Sequence, residues 1–85
     1  MELIEAFDQA VSKSRTLEKK PSNDILLKMY GLFKQATEGD IQGERPGGFD
    51  FKAIAKYEAW TNAGGKSKED AMQEYIDLIQ SIFDQ

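Results

Sequence analysis

The apolar residues of this chain follow a helical period from one end to the other. Near the start, the positions of one face recur at i, i+4, i+7 and i+8, which is the rhythm of an amphipathic helix. These positions are Leu3, Phe7, Ala10, Val11 and Ser14. The pattern predicts a first helix that ends between Arg15 and Leu17, well before Pro21.

A second helix is predicted from its capping residues. Ser22 is a preferred N-cap, and Asp24 in the first turn favours the positive end of the helix. The helix runs to about Glu38, because Gly39 can adopt the left-handed conformation that ends many helices. From residue 39 to residue 48 the chain is rich in glycine and turn-forming residues, which predicts one long loop.

The third helix is predicted over residues 51–62, with Asp50 as its N-cap. Its apolar face is predicted to contain Phe51, Ile54, Ala55 and Trp60. Two consecutive glycines, Gly64 and Gly65, stop this helix.

The fourth helix has the clearest apolar stripe. Residues 67–70 resemble a capping box, with Asp70 in the place of the usual Glu or Gln. The stripe that follows contains Met72, Tyr75, Ile76, Ile79, Ile82 and Phe83. Four helices without a repeat or a linker predict an all-α protein, a small four-helix bundle that forms one domain over residues 1–85.

Composition limits the chemistry of this bundle. Among its 85 residues the chain has no histidine and no cysteine. It therefore lacks the commonest general base, a thiolate nucleophile and the usual zinc ligands. Most carboxylates fall on exposed helical positions or in first turns, where solvent and the helix dipole account for them. We expect no enzyme activity, no catalytic residues, no metal site and no cofactor.

Several features of the sequence indicate the cellular compartment of the protein and the ligands that it disfavours. Its first residues lack the basic and apolar regions of a signal peptide, and no apolar run approaches the ~18 residues of a membrane span. The net charge is −4, which disfavours nucleic acid because phosphate contacts dominate that affinity. These features predict a cytoplasmic protein, and we expect a monomer.

The charge is unevenly distributed along the chain. Residues 1–12 and 69–85 contain eight acids and no base, whereas residues 13–68 contain eleven bases and seven acids. The two signs could neutralise each other in the folded protein. Alternatively, the basic centre could form a site for an anionic ligand.

The second helix is apolar on more than one side, since seven of the nine residues from Ile25 to Phe33 are apolar. It could be a central helix buried by three neighbours, its second face could line a groove for an apolar ligand, or both could hold at once. A chain this small buries only about 60% of its unfolded surface, so a sizeable ligand would lie in a surface groove. A second apolar face could also receive a partner helix.

Tyr30, Phe33 and Lys34 share one side of the second helix, at i, i+3 and i+4. A hydroxyl, an aromatic ring and an ammonium group placed together would suit a nucleotide, which offers phosphate and a base. Lys52 and Lys56 form a second row on the third helix. Either lysine row could instead be an ordinary solvated face.

The sequence closely resembles the acyl-CoA-binding protein family over nearly its whole length. The matching segments are Pro21-Ser22-Asn23-Asp24, Tyr30-Gly31-Leu32-Phe33-Lys34-Gln35-Ala36-Thr37, Gly39-Asp40, Arg45-Pro46-Gly47, Asp50, Ala55-Lys56, Ala59-Trp60, Ser67-Lys68-Glu69-Asp70-Ala71-Met72 and Tyr75-Ile76. The resemblance implies a four-helix bundle that binds, buffers and transports medium- to long-chain fatty acyl-CoA esters in a surface groove, without chemistry. Acyl-CoA-using enzymes would be its partners. The alternative is a helical protein-interaction module without a CoA ligand.

The resemblance also implies which residues touch the ligand. The acyl-CoA-binding positions are Arg15, Tyr30, Phe33, Lys34, Lys56 and Tyr75, and the 3′-phosphate of CoA is among the groups they hold. Side chains for the acyl groove would come from Ala10, Val11, Leu27 and Met29. Three positions depart from the family pattern. The family often has Tyr at the position of Phe33, usually has Trp at that of Tyr57, and often has Lys at that of Ile54.

Overall fold

Four helices contain most of residues 1–84, which are the residues that this computed structural model describes. They are α1 (Leu3–Ser14), α2 (Asn23–Glu38), α3 (Phe51–Asn62) and α4 (Lys68–Phe83). Residues 1–84 include no strand, and the predicted all-α four-helix bundle is confirmed.

Three helices begin at the predicted N-caps. The side-chain oxygens of Ser22, Asp50 and Ser67 each accept a hydrogen bond from the backbone N–H three residues later. These bonds satisfy N–H groups that have no partner within the helix. The positions of the caps explain why the predicted helix starts and the observed ones agree.

The core lies mainly between α1, α2 and α4. Its buried apolar side chains are Phe7, Ala10, Leu32, Ala36, Ala63, Ala71, Tyr75 and Ile79. On α3, the predicted apolar positions Ile54, Ala55 and Trp60 are only half-buried. Phe51 is 71% exposed, so the prediction is wrong for that residue. It begins α3 beside the loop, where its ring meets that of Phe49, which is 89% exposed.

The arrangement of helices leaves part of α2 uncovered. α2 packs along α3 and α4, and α4 also packs along α1. α1 meets α2 through the stacked rings of Phe7 and Phe33. The apolar residues between Ile25 and Tyr30 are therefore half-buried, whereas Gly31, Leu32, Gln35 and Ala36 of the same helix are buried. α2 thus packs inward along one side and leaves apolar surface open on another.

The loop after α2 is tied to α3. Gly39 has φ +83° and ψ −155°, a region restricted essentially to glycine and different from the predicted left-handed helical conformation. This geometry lets its carbonyl accept a hydrogen bond from Trp60 Nε1 at 2.8 Å. Further along the loop, Tyr57 Oη donates to the Gly43 carbonyl at 3.3 Å, and Arg45 pairs with Glu58 at 2.6 Å.

A buried amide joins the end of α2 to the segment between α3 and α4. Gln35 is 1% exposed, and its Nε2 donates to Asp40 Oδ1 and to the Lys66 carbonyl, both at 2.8 Å. The same Asp40 oxygen accepts from the Gly65 N–H at 2.9 Å. Three chain segments are thus held by one side chain.

Within residues 1–84, no helix is long and apolar enough to cross a membrane.

Candidate functional site

A groove of about 280 Å³ lies where α1, α2 and α4 come together. Its lining residues are Val11, Arg15, Leu26, Met29, Tyr30, Phe33 and Tyr75. Phenol rings, one guanidinium group and apolar side chains line the same short groove. Such a surface can stack on a planar group and attract an anion at once.

An aromatic cluster forms the base of the groove, and each of three helices contributes one ring to it. The ring centroids of Phe7 and Phe33 are 6.0 Å apart at 18°, a stacked pair. Tyr75 meets Phe7 edge-on at 5.2 Å. Tyr75 Oη donates to Ser14 Oγ at 3.2 Å, and Ser14 in turn donates to the Val11 carbonyl at 2.6 Å. The cluster is fixed by packing and by this short chain of hydrogen bonds.

Two lysines lie over aromatic rings of the neighbouring helix, across the packing of α2 on α3. Lys56 Nζ of α3 lies 5.3 Å from the ring centroid of Tyr30. Lys34 Nζ lies 4.9 Å from the ring centroid of Trp60 and forms an ion pair with Glu38. The hydrogen bond that Lys34 donates to the Glu38 carboxylate holds the pKa of Lys34 above its usual 10.5. Lys34 is therefore a full positive charge at neutral pH.

A second, larger cavity of about 430 Å³ opens between α2, α3 and the start of α4. Its apolar lining comes from Leu27, Leu32, Ala55, Ala59 and Ala63. Polar side chains, including Asp24, Lys28 and Glu74, complete its lining. The first groove thus combines aromatic rings, aliphatic side chains and one guanidinium group, whereas this cavity combines aliphatic with charged side chains and, among residues 1–84, has no ring in its lining.

The structure brings most of the predicted ligand residues together. Six of them line the groove: Val11, Arg15, Met29, Tyr30, Phe33 and Tyr75. Lys56 lies next to the groove through its contact with Tyr30, and Lys34 lies one turn after Tyr30 on α2, over the ring of Trp60.

Two predicted acyl-chain residues lie elsewhere. Ala10 is buried in the core at 7% exposure and borders a different cavity, beside Ile76 and Ile79. Leu27 lines the α2–α3 cavity. The reason is helical geometry, because Leu27 and Met29 are two residues apart and so point about 200° apart around α2.

Sequence reasoning missed Leu26 and Trp60 as residues of the site. Leu26 stands four residues before Tyr30, so the i, i+4 rule places both on one face. Trp60 was assigned only to the apolar side of α3. Its contact with Lys34 depends on how α2 and α3 cross, which the sequence pattern does not contain.

The three departures from the family pattern have structural counterparts. Phe33 supplies a ring to the aromatic cluster without a hydroxyl. Tyr57 uses its hydroxyl to hold the loop at Gly43. Ile54 is half-buried on α3, so an aliphatic side chain is suited to that position.

The fold and the site define a small helical ligand-binding protein, with an aromatic groove between α1, α2 and α4 and a second cavity between α2 and α3. Within residues 1–84, no group of three or more Asp or Glu side chains is placed to hold a metal ion. Residues 4–79 match the family model described as Acyl CoA binding protein. The chain belongs to the acyl-CoA-binding protein family.

Individual relatives agree with this assignment. An acyl-CoA-binding protein of Gossypium hirsutum is 44% identical over 84 residues, which cover 99% of this chain and 94% of the relative. The crystal structure of Oryza sativa acyl-CoA-binding protein 2 superposes with a TM-score of 0.94 at 41% identity, covering 98% of this chain and 92% of the other. The chain also matches 19% of the length of the enoyl-CoA delta isomerase 2 of Rattus norvegicus, at 43% identity.

Proposed function

We propose that this protein binds medium- to long-chain fatty acyl-CoA esters reversibly, buffers them and carries them to the enzymes that use them. One observation carries the proposal: Lys34 and Lys56, on different helices, each lie over an aromatic ring, Lys34 over Trp60 and Lys56 over Tyr30. A ligand with an anionic nucleotide matches these cations and rings, and a long alkyl tail matches the aliphatic side chains of the α2–α3 cavity.

The head group would be held by charge and by stacking. Lys34 and Lys56 supply point charges for phosphate, and the Tyr30 hydroxyl adds a directed hydrogen bond. Arg15 adds a guanidinium group to the lining of the groove. Each hydrogen bond to a charged group contributes about 1.5–3 kcal/mol, so these contacts would fix the orientation of the ester.

The stacking surface for the CoA base would come from the aromatic cluster. Phe33 and Tyr75 line the groove with their rings. Since the Tyr75 hydroxyl already bonds to Ser14, we assign this residue a contact through its ring.

The acyl tail would lie in the α2–α3 cavity. Five aliphatic residues, Leu27 among them, line this cavity. Burial of a methylene contributes about 0.8 kcal/mol, so a sixteen-carbon tail offers on the order of 12 kcal/mol before the costs of association. The tail would therefore supply most of the affinity. Val11 and Met29, which line the groove between α1, α2 and α4, would contact the part of the ligand nearest the thioester.

The binding would involve no chemistry. The isomerase match covers only a small part of that enzyme, so its reaction is not carried over to this chain. A chain without histidine or cysteine also lacks the commonest general base and nucleophile. We propose that residues 1–85 act as a single binding domain, as a monomer, in the cytoplasm and without a cofactor.

Titration calorimetry with palmitoyl-CoA tests the proposal directly, with free CoA and free palmitate as controls. We expect saturable binding of one palmitoyl-CoA per chain and much weaker binding of either fragment. If palmitoyl-CoA gives no binding at micromolar concentration, the function is wrong. The alternative, a protein-interaction module, would then be supported by a helical partner that binds with indifference to CoA esters.

A further inference from the structure

Lys34, one of the two proposed phosphate-binding cations, already has an anion as its partner. Its ammonium group pairs with the carboxylate of Glu38, one helical turn later on α2. The Lys34 side chain is 25% exposed and that of Glu38 is 53% exposed. A ligand phosphate that reaches Lys34 from solvent must therefore share the ammonium with this carboxylate or displace it.

Without this ion pair, the charge of Glu38 would be in an electrostatically unfavourable position. This residue is the last of α2, where the negative end of the helix dipole disfavours an acid, and the last turn of α2 carries no base. Lys34, one turn earlier, is the cation that compensates. When a phosphate takes the ammonium group, Glu38 keeps its charge beside both the helix end and a second anion.

Lys56 is arranged differently. Its ammonium group lies over the Tyr30 ring at 5.3 Å, and an aromatic face attracts a cation without neutralising it. A phosphate can approach Lys56 while this contact persists. The two lysines therefore differ in what the ligand has to displace.

We propose that Glu38 is an affinity-determining residue, an internal anion that competes with the ligand's phosphate for Lys34. This inference rests on the proposed function and adds a residue that weakens binding. Its consequence is easier release: the carboxylate is ready to take back the ammonium group as the phosphate leaves. A carrier that must deliver its ligand gains from such a competitor.

A double-mutant cycle tests the competition. The variants are Glu38→Gln, Lys34→Met and the pair, with palmitoyl-CoA affinity measured by calorimetry. Exposed ion pairs contribute up to about 1 kcal/mol, so Glu38→Gln should bind about two- to fivefold tighter than the wild type. In the Lys34→Met background the same substitution should leave the affinity for palmitoyl-CoA unchanged, because the cation for which the two anions compete is absent.

A charge-matched control separates competition from a general change in net charge. Glu44 is an exposed loop residue, and Glu44→Gln should leave the affinity for palmitoyl-CoA unchanged. The inference is overturned if Glu38→Gln binds no tighter than the wild type, or if its gain equals that of Glu44→Gln or persists without Lys34. If the wild type itself does not bind palmitoyl-CoA, the proposed function fails and this inference fails with it.

Discussion

Gly31 of α2 lies directly against the backbone of Ala59 in α3. A Cβ placed on Gly31 would be 2.3 Å from the Ala59 carbonyl oxygen and 2.8 Å from its carbonyl carbon. Real Cβ atoms do not approach backbone atoms so closely, so only glycine fits. This contact sets the distance between the two helices that carry Lys34 and Lys56.

Gly31→Ala should therefore destabilise the protein. Alanine favours a helix interior over glycine by about 1 kcal/mol, but overpacking costs about 1–3 kcal/mol, and a backbone carbonyl cannot move aside as a side chain can. We expect a net loss of about 1–2 kcal/mol, measured as a lower urea midpoint. Gly47→Ala is the control, since a Cβ there meets nothing within 4 Å. A midpoint unchanged by Gly31→Ala would contradict the close approach.

Gly31 also shows where prediction from the sequence stops. The caps at Ser22, Asp50 and Ser67 are local signals, read from a few neighbouring residues, and they gave the helix starts. The role of Gly31 depends on α3, nearly thirty residues away. In the sequence it is only a break in an apolar run.

The residues of the candidate site also fall into those that local sequence signals predict and those that only the packing of helices places. Tyr30 and Phe33 share a helical face, and the structure places both in the groove. The resemblance implies one acyl groove for Leu27 and Met29, yet their directions on α2 lead to different cavities. Which helix covers each face is a property of the packing, and periodicity alone does not give it.

Asp40 should make stability depend on pH in the acid range. The N–H of Gly65, and then the amide of Gln35, hold the pKa of this carboxyl below its usual 3.8. A lowered folded pKa stabilises the native state above the unfolded value, and the effect is lost as the pH falls through the folded one. Asp40→Asn should thus be less stable than the wild type at neutral pH, with a difference that shrinks below 3.8. Urea unfolding at neutral pH and at about pH 3 measures it. A constant difference would exclude the charge as the cause.

Tyr75→Phe separates the ring of this residue from its hydroxyl. Tyr75 is 3% exposed, and loss of its bond to Ser14 should cost about 1 kcal/mol of unfolding free energy. Ser14→Ala should cost a similar amount, and the double variant should lose less than the sum. Because the ring remains, palmitoyl-CoA affinity should stay within about twofold in Tyr75→Phe. A much larger loss of affinity in calorimetry would assign the hydroxyl to the ligand.

Lys56→Met should weaken the binding of palmitoyl-CoA by about tenfold or more, since a charge-assisted hydrogen bond contributes about 1.5–3 kcal/mol. Lys52→Met removes the same charge one turn earlier on α3, from an exposed position, and should cost only a few-fold at most. Equal losses would indicate that general attraction, rather than a contact beside Tyr30, explains the effect. Calorimetry at physiological salt, where the Debye length is about 8 Å, provides the comparison.

The position of the acyl tail can be tested through chain length. Two methylenes are worth up to about 1.6 kcal/mol, roughly tenfold in affinity, when both are buried. Leu27→Gln puts an amide into the α2–α3 cavity, so the gain from myristoyl- to palmitoyl-CoA should fall below about threefold. Met29→Gln is the matched control in the neighbouring groove, and there the gain should persist. If Met29→Gln removes the chain-length dependence and Leu27→Gln retains it, the tail lies between α1, α2 and α4 instead.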